Sequence, residues 1–155
     1  MDEDAYRQLY REVNDRQCLY EKAILSTHCR CSLMRKINLA EREAAHCEDD
    51  AGQQRCQAFL DALRHAARFA LRTTDEKSSL PHARAMRLQV GGLRGLHLAL
   101  HPDRPVPSPI PDIHGLIGEG LERWGSLEAF PWQQILREVA AWEGRKPKRR
   151  HRKDR

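Results

Sequence analysis

Residues 18–56 read CLYEKAILSTHCRCSLMRKINLAEREAAHCEDDAGQQRC and hold every cysteine of the 155-residue chain. Ten residues separate Cys18 from Cys29, one separates Cys29 from Cys31, fifteen lead on to Cys47 and eight more to Cys56. Thiols crowded in this way bind a soft metal or pair as disulfides. An odd number cannot all pair within one chain, and clustered thiols in a reducing compartment favour metal. The set Cys18, Cys29, Cys31, Cys47 and Cys56 is therefore the candidate metal site, four of the five holding an iron–sulfur cluster or, alternatively, zinc. The spacing contains neither the paired CxxC of zinc ribbons nor a CxxCxxC run. His28 and His46, each directly before a cysteine, are possible substitute ligands.

Whether these thiols can meet depends on where the helices break. An unbroken helix from 18 to 29 would set its end thiols about 16 Å apart, and one from Ser32 to His46 would part Cys31 from Cys47 by more than about 20 Å. A common site requires breaks at Ser26–His28 and near Asn38. In a plain up-down bundle Cys18, Cys47 and Cys56 could approach one another, with Cys29 and Cys31 at the opposite end.

Outward from this stretch, residues 2–26 read as a helix with Tyr6, Leu9, Tyr10 and Val13 on one stripe and Asp2, Glu3 and Asp4 at the positive end of its dipole. Ser32 is placed to cap a second helix, on which Leu33, Ile37, Ala40, Ala44 and Cys47 recur at spacings of four and three. Asp50 and Gln53 cap a third helix that runs to about Leu71 and buries Cys56, Phe59, Leu60 and Leu63. Thr73 to Ser79 is a polar loop. Met86, Leu88 and Val90, then Leu96, Leu98 and Leu100, alternate with polar or small residues across Gly91-Gly92, the pattern of a β-hairpin. Residues 93–100 also admit a helix. His101 to Pro111 carries five of the eight prolines and is an extended connector. Leu116–Trp124 reads as a short helix. Pro131 opens a last helix, on which Trp132, Ile135, Leu136 and Val139 share a face. The expectation is a mainly α fold with three cysteine-bearing helices in residues 1–72, a small β-hairpin and C-terminal helices in 80–144, and a disordered basic tail in 145–155. Residues 1–144 form one domain.

The net charge of +5 resides in that tail. Arg145, Lys146, Lys148, Arg149, Arg150, Arg152, Lys153 and Arg155 are eight of the 27 basic residues, against one of the 22 acids. Such a run neutralises phosphates without reading sequence, so contact with nucleic acid or the ribosome is the alternative function, with the cysteines as core residues. It has no aromatic residue for base stacking. A redox or other protein partner would accompany a cluster engaged in electron transfer, sensing or cluster handling. The acidic first residues show no apolar signal region, and no run of about 18 apolar residues spans a membrane. A cytoplasmic, bacterial-style protein without a membrane partner follows. No GxSxG, HExxH or P-loop pattern is present, and His82, His97, His101 and His114 are dispersed. The sequence leans away from an enzyme. Cys29 and Cys31 are the only pair close enough for thiol redox chemistry, and a CxC disulfide is strained.

Overall fold

The computed structural model describes residues 2–70 and 81–144. The polar loop expected over Thr73–Ser79 and the basic tail lie outside the described residues. The protein is mainly α-helical with one small antiparallel β-hairpin, and no helix among the described residues is long and apolar enough to cross a membrane.

Helix α1 spans Glu3–Val13, with the Asp2 carboxylate accepting from the Ala5 N–H at 2.7 Å. The helix expected to continue to residue 26 stops at Asn14, which has a better use for its side chain. Buried at 4 % exposure, Asn14 donates to the Ala45 carbonyl at 3.0 Å and meets Nδ1 of His46 at 2.9 Å. The chain then runs extended through Arg16–Cys18, where the Cys18 N–H donates to Ala45 O and the Cys47 N–H to Arg16 O. A short helix α2, Glu21–Leu25, follows. Cys18 thus lies on a strand-like segment and not on a helix.

The second helix expected from Ser32 is a hairpin instead: β1, Met34–Leu39, pairs antiparallel with β2, Arg42–Cys47, in the register Met34↔Cys47 to Leu39↔Arg42. Its two-residue loop places Ala40 at φ +57, the left-handed region such a tight loop requires. The spacing of four and three did suit a helix. Pairing overrides it, because β2 is bonded on both edges, to β1 and to residues 16–18. That leaves Ala44 and Ala45 fully buried. Lys36 and Glu43 face diagonally across the strands at 3.5 Å.

Helix α3, Asp50–Ala70, buries Phe59, Leu60 and Leu63 as expected. Its cap is Asp49, one residue earlier than Asp50, and Asp49 Oδ2 accepts from the Gly52 N–H at 2.8 Å. The hairpin expected across Gly91-Gly92 is helical: α4, Pro81–Met86, passes through a π-helical turn, Arg87–Gly91, into α5, Gly92–Leu100. The glycines serve close packing and not a turn. A methyl on Gly91 would stand 2.7 Å from Val139 Cα, and one on Gly95 2.7 Å from the Ile135 carbonyl. Only hydrogen lets those backbones approach. Helix α6 spans Ile113–Trp124 and α7 spans Trp132–Ala141. Leu93, Leu96, Ile113, Ile117, Ile135 and Val139 join Phe59 and Leu63 in a core that also takes in Tyr20, Cys18 and Cys29.

Candidate metal centre

Four segments bring cysteines to one place. Cys18 comes from the extended segment after α1, Cys31 from the loop before β1, Cys47 from the last position of β2 and Cys56 from the second turn of α3. All four line a cavity of about 20 Å³, together with Tyr20, Leu33, Met34, Gln53 and Ile113 among others. A space of that size holds about one water-sized sphere. Of the two breaks that the spacing demanded, the one at Ser26–His28 is present within Ser26–Leu33, and the one near Asn38 is a hairpin turn at Ala40–Glu41 and not a helix kink; the interruption at Asn14–Tyr20 was not expected.

The loop carrying Cys31 is clamped from both sides. Arg30 N–H donates to Ile110 O at 2.8 Å, and Ile113 N–H donates back to Arg30 O at 2.9 Å. The Asp112 carboxylate accepts from the Ser32 N–H and hydroxyl at 2.9 and 3.0 Å. Burial pushes the Asp112 carboxyl up, but these bonds outweigh it and hold it below its usual value. Asp112 is the N-cap residue of α6, and the backbone N–H groups of Leu33 and of His114, in the first turn of that helix, pull the Cys31 thiol down against the effect of burial. The backbone N–H of Tyr20 likewise pulls the Cys18 thiol down. Cysteine plus two supplies the N–H in both cases, an arrangement that favours thiolate over thiol.

Burial acts the other way and wins in the absence of a cation. It pushes the Cys18, Cys29 and Cys56 thiols up to about 12, and Cys31 up as well. All five cysteines are free, and the Cys47 thiol donates to the Asp49 carbonyl at 3.3 Å. Among the described residues no group of three or more His, Cys, Asp or Glu side chains is placed to hold a metal ion as they stand. Raised thiols are poor nucleophiles at neutral pH, which disfavours thiol redox catalysis here. A divalent cation inverts the balance, since a coordinating thiol is deprotonated outright. Cys31 and Cys56 are only partly buried, which leaves the cavity a way in from solvent.

Cys29 does not line the cavity. It is 1 % exposed, pairs in parallel with Ile110 and packs in the core. Neither histidine neighbour faces the site: the His28 ring stands edge-on to Trp142 at 5.4 Å, and His46 Nδ1 is held by Asn14. Spacing alone could not have singled out Tyr20 and Asp112, since nothing in the sequence marks them as neighbours of the thiols.

No protein-family model matches the chain, and neither a curated protein nor a solved structure is found to match it.

Proposed function

We propose that the protein binds a metal ion through the thiolates of Cys18, Cys31, Cys47 and Cys56, with Cys29 as a core residue beside the site. The observation that carries this is the convergence of four cysteines from four separate segments on one cavity. Burying four thiols together confers little stability that four small apolar side chains would not, whereas four thiolates complete a tetrahedral site with metal–sulfur bonds of about 2.3 Å. The N–H groups of Tyr20, Leu33 and His114 pull the Cys18 and Cys31 thiols down, which favours the charged form. A cavity of about 20 Å³ favours a single ion such as zinc over an iron–sulfur cluster, which would have to push the four segments apart. Loading requires the thiols to lose their protons and turn toward a common centre, so binding releases protons and strengthens with pH. With zinc the site ties segments of the N-terminal half together; with a cluster it would serve electron transfer or sensing. The alternative of nucleic-acid contact rests on the charge of residues 145–155 alone.

The test is elemental analysis with an absorbance spectrum on the full chain purified without oxygen. One zinc per chain without colour is the expected result. Iron with sulfide and a brown colour would assign a cluster. Loss of the metal in Cys31→Ser and Cys56→Ser, but not in Cys29→Ser, would fix the ligand set. Full loading of a Cys31→Ser/Cys56→Ser double variant would overturn the site.

A further inference from the structure

A second concavity shares no residue with the cysteine cavity. It is a cleft of about 730 Å³ between the end of α2, α4, Ser108 of the connector and the residues that follow α7. Small-molecule sites occupy about 300–1,000 Å³ and combine apolar walls with a few polar groups. The charge of this cleft is one-sided. Lys22 and Arg87 line it with the imidazoles of His28 and His82, and Glu143 is the only acid in the lining. Lys22 and His82 are exposed and enter no ion pair among the described residues. Trp142 and Met86 supply the large apolar surfaces.

The backbone fixes the aromatic end of the cleft. After α2 the Thr27 N–H donates to Ile24 O at 3.0 Å and the His28 N–H to Ala23 O at 2.9 Å, the paired closure of a Schellman turn. Such a turn puts one residue in the left-handed region, where glycine is usual; here that residue is Thr27, at φ +67. A β-branched residue is strained there, and strain of this kind gathers at ligand sites. The turn delivers His28, whose ring stands edge-on to Trp142 at 5.4 Å. Gly144, at φ +74, leaves the indole uncovered, because a Cβ at that position would stand 3.0 Å from its Cη2 and 3.2 Å from its Cζ3.

We propose that this cleft binds a small organic anion with a planar ring, of the nucleoside monophosphate class, the anion met by Lys22, His28 and His82 and the ring by Trp142. Charge selects the anion, and an aromatic face accepts any flat ring. The site is independent of the metal reading.

The full chain is titrated by calorimetry with adenosine, guanosine, cytidine and uridine monophosphates, with neutral adenosine and with inorganic phosphate. The indole N–H signal of Trp142, assigned from Trp142→Phe, is followed in parallel. At least one monophosphate should bind at one site per chain and shift that signal. Adenosine and inorganic phosphate, each lacking one half of the ligand, should bind about tenfold more weakly or worse, as the loss of one good contact implies. Lys22→Ala/His82→Ala changes two exposed side chains, so it should fold as wild type and lose about tenfold or more in affinity. No saturable binding of any monophosphate would overturn the proposal. Binding that leaves the Trp142 signal unmoved, or that the double variant retains in full, would overturn it by placing the ligand elsewhere. Inorganic phosphate binding as tightly as the monophosphates would overturn the role of the ring.

Discussion

Replacing Cys29 by serine separates two roles that lie one residue from Cys31. Cys29 is 1 % exposed and packs with Cys18, Tyr20 and Ile110 in the core, outside the cavity. A serine hydroxyl there would be buried with no hydrogen bond assigned to it, at a cost of about 1–3 kcal/mol. Cys29→Ser is therefore expected to keep its full metal content while its urea midpoint falls. Loss of metal with unchanged stability of the metal-free form would move Cys29 into the ligand set. Cys31, by contrast, lines the cavity together with Ile113 of the first turn of α6.

Among the elements, the contact of α5 with α7 depends most on a single atom. Gly95 brings its Cα against the Ile135 backbone, where a methyl group would stand 2.7 Å from the carbonyl oxygen and 2.8 Å from Cα. Backbone cannot turn aside as a flexible side chain can. Gly95→Ala should push the helices apart and destabilise the protein by about 1–3 kcal/mol, the usual range for overpacking. Thermal melts of the metal-free forms would measure this. A variant as stable as wild type would contradict the close approach. The helical propensity gained by alanine, about 1 kcal/mol, is not enough to mask the larger end of that range. The cavity takes its lining from the segments around Cys18 and Cys31, the hairpin ends, α3 and the first turn of α6, and none of it from α5 or α7. Metal stoichiometry should survive in whatever fraction of Gly95→Ala remains folded.

For the whole molecule, the buried thiols set the alkaline limit of the metal-free state. Cys18, Cys29 and Cys56 are raised in the folded chain from the ordinary 9.0 to about 12, chiefly by burial. The unfolded chain therefore releases these protons first as pH rises. Their contribution is complete below about pH 9 and is lost progressively toward pH 12. Urea midpoints of the metal-free protein should fall steadily above about pH 9. Loaded protein should show a flatter profile, because its ligands have already given up their protons. A metal-free profile as flat as the loaded one would mean that the thiols are not desolvated.

Much of this architecture is legible in the sequence. The third helix, the proline-rich connector and the last helix follow from periodicity and from where proline can stand. So does a mainly α fold with one hairpin, and so does the demand that helices break between the cysteines. The sequence misplaced the hairpin for a physical reason at both ends. Leu33, Ile37, Ala40, Ala44 and Cys47 suit a helix locally, but Arg16–Cys18 offers β2 a second edge, and backbone pairing over distance leaves no trace in local spacing. Gly91 and Gly92 look like turn formers until α7 and Leu63 are seen lying against them. Glycine is equally suited to a turn and to close contact, and only the neighbour distinguishes the two. Sequence alone thus determined that five thiols share one short stretch. Tertiary structure decided that four of them face one cavity, because strand pairing and the docking of residues 28–32 on the start of α6 set where each segment ends.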